Sequence, residues 1–171
     1  MIIAKQLENS NIAEYIIYMF YIEDLIRTYN LSIKEIEKEK ISEFIVNNKE
    51  KKDITDWYKN LIKMMINEGI EKKGHFSFLK EKIDKLNEMH LKLLAKEDTI
   101  YIDAYKKAMG DIMLFRDKSN KKLNDIEVCL QSLYMVMLLK MKKRPISNET
   151  QQAIDNISKL MALLSSYYHQ Q

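Results

Sequence analysis

"YIIYMFYIEDLIRTYN", residues 15–30, is the stretch that decides the fold. Eight apolar or aromatic residues run unbroken from Tyr15 to Ile22, and then come Glu23, Asp24 and, one turn on, Arg27. At about 100° per residue, Tyr15, Tyr18, Ile22, Leu25 and Tyr29 fall on one side of a helix, and Ile12, Met19 and Ile26 extend that side. Ala13, Ile16 and Phe20 fall on the opposite side. A helix apolar nearly all round is a buried one. The spacing therefore predicts a central first helix from Asn11 to Asn30 with the remaining helices packed around it. The three charges continue the Ile16–Phe20 face, so they sit on what is otherwise a packing surface.

Working outward, start and stop signals divide the chain into about seven helices. Asn11 with Glu14 has capping-box spacing and opens the first. Ser32 with Glu35 opens a second, ending near residues 46–49. Asp53 or Thr55 opens a third, with Gly69 as the residue just past its end. A fourth covers about 77–95 and a fifth about 99–117. The polar run 117–122 is a turn. Asn124 with Glu127 caps a sixth helix that ends at "KKRP", and Ser147 caps a seventh. The later helices carry apolar stripes at spacings of three and four, such as Leu79, Ile83 and Leu86, or Ile154, Ile157, Met161 and Leu164.

Composition agrees. The 171 residues include 3 Gly and 1 Pro, too few for strands joined by tight turns. The reading is all-α: a single-domain bundle spanning residues 1–171. The net charge of +3 marks no nucleic-acid binder. No segment reaches the roughly 18 to 20 apolar residues of a membrane span, and "MIIAKQLENSNIAEY" lacks the pattern of a signal peptide. One cysteine, Cys129, cannot form an internal disulfide. Together these features suggest a cytoplasmic protein.

The candidate chemistry is sparse. Glu23, Asp24 and Arg27 read either as a ligand or metal site on a largely buried helix, or as an ion pair at its rim. His90 interrupts an apolar stripe; it reads as a ligand or base, or as a core histidine bonded to a carboxylate or carbonyl. Since a buried charge needs a partner, one shared cluster of His90 with Glu23 or Asp24 is the expectation. His75 follows Gly74 in a loop and is the better-placed loop histidine. Cys129 lies in a helix interior, where a buried inert thiol is expected rather than a nucleophile. The cations of "KMKKRP" suit a helix C-terminus. The Glu-x-x-His spacing of di-metal bundles is missing, as are a phosphate loop and a nucleophile elbow. No catalytic residue, metal or cofactor is assigned.

Three stretches form a distinctive set: "NIAEYIIYMFYIEDLIR", "EGIEKKGH", and "EVCLQSLYMVMLLKMKKRP" followed by "ISNETQQAIDNIS". They resemble a bacterial family of small all-helical proteins known only as a domain of unknown function, and the likeness spans nearly the whole chain. The resemblance implies a bacterial, cytoplasmic, helical protein and no particular reaction. It also draws attention to Glu23, Asp24, Arg27, Gly74 and His75. Two functional readings follow. One is a non-catalytic module that binds itself as a homodimer or another protein, which suits the surplus of Tyr and Met. The other is a small-ligand or metal-binding protein, or an enzyme, with a site near Glu23, Asp24, Arg27 and His90.

Overall fold

A computed structural model describes residues 1–118 and 122–170. Eight α-helices follow one another among these residues: α1 (Ile2–Ser10), α2 (Ile12–Thr28), α3 (Ile33–Glu39), α4 (Asn48–Asn67), α5 (Ser77–Ala95), α6 (Thr99–Lys118), α7 (Asp125–Met141) and α8 (Asn148–Tyr168). A short 3-10 turn, Ile41–Glu43, follows α3. No strand occurs among the described residues. The turn expected over 117–122 lies partly outside them.

The helix starts obey cap chemistry. Asn11 accepts from the Glu14 N–H to open α2, and Ser32 does the same for α3 with Glu35. At α7, Asn124 and Glu127 exchange side-chain and backbone hydrogen bonds in a full capping box. The end of α4 also matches expectation. Gly69 has φ +65°, and the N–H of Ile70 donates back to the Met65 carbonyl at 3.1 Å, closing the turn.

Three features differ from the sequence reading. An additional helix, α1, precedes the apolar one and packs on it. Helix α4 starts five residues before Asp53, at a second reciprocal capping box formed by Asn47 and Glu50. Its first turn is Lys- and Glu-rich, so apolar periodicity is silent there while the cap signal is present. Third, the expected helix from Ser32 ends at Glu39 rather than near residues 46–49. Ile36 and Ile41 are both buried, yet on one continuous helix they would point about 140° apart. The tighter 3-10 turn brings Ile41 back to the core.

The apolar helix is the most buried element, with ten of its seventeen residues inaccessible. Ile17, Tyr18 and Tyr21 are half-buried: Tyr18 and Tyr21 line a cleft with Met1, Ile3 and Phe44, and all three line a second one with Leu7, Met137 and Met141. The centre of the bundle is shared: α7 and α8 each pack on α2, α5 and α6 and on one another. The core runs continuously from Ala4 to Leu164. No helix is long and apolar enough to cross a membrane, among the described residues.

Candidate functional site: two buried polar clusters

The charges on α2 meet the loop between α4 and α5. Glu23 has no exposed surface. Its carboxyl accepts the backbone N–H of Phe76 at 2.7 Å and lies 2.6 Å from Nδ1 of His75. With its proton on Nδ1, the imidazole donates to the carboxyl. The ring stacks on Phe20, centroids 4.0 Å apart, and is about one-third exposed.

Arg27 clasps the same loop from the next turn of α2. Its Nη2 donates to the carbonyls of Ile70, at 3.2 Å, and Gly74, at 2.5 Å, while Nη1 pairs with Asp24 at 3.0 Å. Tyr134 on α7 donates its hydroxyl to the other Asp24 oxygen at 2.5 Å. Burial, reinforced by that bond, pushes the Tyr134 phenol far above its ordinary range, so it stays a donor. The loop needs glycine at 74 because φ is +101°, a backbone conformation that residues with a Cβ rarely adopt.

The result is a cap supplied from outside the helix it serves. Phe76 stands just before the first residue of α5 and has no side-chain oxygen to offer. Glu23 takes its N–H from α2, and Glu68, at the end of α4, takes the next one, from Ser77, at 2.7 Å. Carboxylates at a helix N-terminus satisfy free N–H groups and complement the macrodipole.

His90 does not join this group. The expected shared cluster with Glu23 or Asp24 is replaced by a second network, between α5, α6 and α7. The Tyr101 hydroxyl lies 2.8 Å from His90 Nδ1, and with the imidazole proton on Nε2 the hydroxyl donates to it. His90 Nε2 lies 3.8 Å from Asp125, too far for a hydrogen bond. Asp125 in turn accepts from Tyr105 at 2.5 Å and pairs with Arg116. Burial holds His90 below the ordinary imidazole range, and the Asp125 charge only partly offsets it. Asp125 is desolvated too, but bonds from Tyr105 and Arg116 outweigh that and keep its carboxyl low. Burial pushes the Tyr105 phenol up to about 12.

These shifts have a consequence for pH. A histidine whose folded pKa is depressed takes up a proton more readily in the unfolded chain. Its contribution to stability is complete above the ordinary value of 6.5 and is lost as pH falls below it. Stability measured by urea unfolding should therefore decline on acidification from pH 7. His90→Gln, which keeps an acceptor for Tyr101 but cannot titrate, should flatten that decline. An unchanged slope would assign the loss to other groups.

Of the expected site residues, the fold thus brings Glu23, Asp24, Arg27 and His75 together and places His90 elsewhere. Asp24, half-exposed, lines an open cleft of about 270 Å³ with Tyr21, Tyr29, Tyr134, Lys40 and Lys142. The cleft does not reach the sealed Glu23. Among the described residues, no three His, Cys, Asp or Glu side chains gather as metal ligands, and no Ser, Thr or Cys side chain hydrogen-bonds to His75 or His90.

Sequence reasoning missed Tyr134, Glu68, Tyr101, Tyr105 and Asp125. The tyrosines look like ordinary stripe residues, and Asp125 looks like a first-turn acid beside its cap. Cys129 is fully buried as expected, and burial raises its thiol pKa strongly. It should resist thiol reagents in the native protein and react at once when denatured; rapid native labelling would contradict that placement.

A family model described as a domain of unknown function, DUF4924, matches residues 1–171. The chain belongs to the DUF4924 family. No curated protein and no solved structure matches it.

Proposed function

We propose that this DUF4924 protein is a non-catalytic helical interaction module that binds itself or another protein. The observation that carries the reading is helix α6, which is apolar on two sides. Tyr101, Ala108 and Ile112 are buried against the bundle, while Met109, Met113 and Leu114 are 45%, 56% and 61% exposed. A helix needs only one apolar stripe to fold against its own core; the second has no internal use. The polar clusters support the same reading from the other direction. Glu23, Arg27 and His75 are occupied in holding a loop, and His90 in bridging helices. A cytoplasmic setting is part of the proposal, on the strength of the single buried thiol.

The reading is tested by replacing Met113 with a photo-cross-linking amino acid in cells of the native host, with Glu81, on the polar face of α5, as the control position. A discrete adduct from position 113 and none from 81 is expected. No adduct at 113, or equal labelling at both positions, would overturn it. The competing reading, a ligand or metal site at Glu23, Asp24, Arg27 and His90, would need those groups to converge on open space, and no such convergence supports it.

A further inference from the structure

We propose that the cleft between α2, α4 and the turn after α3 binds a small apolar carboxylate, which accepts a hydrogen bond from Tyr58 and faces the ammonium of Lys40. This goes beyond the interaction reading and does not depend on what meets α6.

The first observation is the Tyr58 hydroxyl. Tyr58 lies on α4 and is only 2% exposed. A buried phenol normally finds a hydrogen-bond partner. Here the hydroxyl bonds to no other group among the described residues, yet it is not sealed, and it opens on the cleft. Its neighbour Tyr18 has a partner within the chain: it donates to Sδ of Met1 at 3.2 Å. Burial pushes the Tyr58 phenol well above its ordinary range, so at neutral pH it keeps a proton to donate.

The second is the cleft that this hydroxyl faces. Its volume is about 340 Å³, which suits a small molecule. Tyr18, Tyr21 and Leu25 line it from α2, and Ile3 and Phe44 from the segments on either side. Mostly apolar walls with one unused donor are the composition of a small-ligand site.

The third is charge, and it selects the ligand. Two charged side chains line the cleft, Lys40 and Glu43. Glu43 is exposed, so water solvates it, whereas Lys40 is half-buried. Lys40 stands where α3 gives way to the 3-10 turn, and the adjacent Glu39 pairs with Lys38 at 2.9 Å. Lys40 itself makes no ion pair among the described residues. A carboxylate uses both groups, accepting from Tyr58 and neutralising Lys40 where solvent screens the pair less than in bulk water. An ammonium ligand would meet Lys40 as a like charge and leave the Tyr58 proton without an acceptor.

The test is ligand-observed NMR titration of the intact chain with cinnamate and octanoate, an aromatic and an aliphatic carboxylate. Their amides and amines are the neutral and cationic versions. At least one carboxylate should bind with Kd at or below about 1 mM. Its amide should bind at least about fivefold more weakly, and its amine more weakly still. Tyr58→Phe should weaken the carboxylate at least about fivefold. The same variant should keep or raise the thermal stability of the free protein, because the hydroxyl has no partner in the folded chain to lose. Lys40→Gln should weaken the carboxylate by a similar factor and leave the amide unmoved. Lys142→Gln, on the neighbouring cleft beside Tyr134, should change neither. Four results would each overturn the proposal: no binding of either carboxylate up to about 10 mM, binding indifferent to Tyr58→Phe, preference for the amine, or equal weakening by Lys142→Gln and Lys40→Gln. A free Tyr58→Phe protein less stable than the wild type would do the same, since the hydroxyl would then serve the fold.

Discussion

Glu23→Ala should destabilise the fold by about 2–4 kcal/mol, the largest loss expected from any polar side chain of the molecule. The carboxyl is sealed from solvent and accepts two hydrogen bonds, from the Phe76 N–H and the His75 ring. Alanine leaves that N–H buried without an acceptor, beside a hole that the packed core around Glu23 cannot readily close. The loss should be graded. Glu23→Gln keeps an oxygen for Phe76 and should cost about half as much. His75→Ala should cost about 1 kcal/mol or less, because the ring is partly exposed and water can replace it. Chemical denaturation gives the numbers, and hydrogen exchange gives the location: amides of residues 70–78 should exchange faster in Glu23→Ala before the rest of the bundle does. A loss below about 1 kcal/mol, with no local change in exchange, would mean that the loop is held by its apolar residues alone.

Asp125→Ala should cost about 2–3 kcal/mol, by a different route. The carboxylate is mostly buried, and it joins Tyr105 and Arg116 of α6 to the first turn of α7. Removing it deprives a tyrosine hydroxyl and a guanidinium of their shared acceptor and takes a favourable negative charge from a helix N-terminus. Arg116 is about one-quarter exposed, so solvent recovers part of the loss and the effect stays below that of Glu23. A double-mutant cycle between Asp125→Ala and Arg116→Ala should show a coupling above about 0.5 kcal/mol, as expected for side chains in direct contact. Additive losses would reduce Asp125 to a helix-cap acid without a partner.

What residues 15–30 determined by themselves was local. A run apolar on every side has one low-energy fate, burial, and α2 is buried. Caps at Asn11, Ser32, Asn124 and Ser147 act within four residues of themselves, so their chemistry is complete in the sequence, and all four open helices where expected. The Asn47–Glu50 box has the same spacing, but the charged turn that follows it has no apolar period to mark a helix start.

The partners of Glu23 were not legible. His75 and Phe76 lie more than fifty positions away, and both histidines look alike in a sequence: each is a polar residue near apolar ones. Only the return of the α4–α5 loop across α2, set by Gly69 and Gly74 and by the packing of Phe76 into the core, decides that His75 meets Glu23. His90 is turned instead towards Tyr101 and Asp125. Hydrogen-bonding groups specify that a buried partner must exist; which one it is depends on how distant helices pack, and that information resides in the tertiary structure.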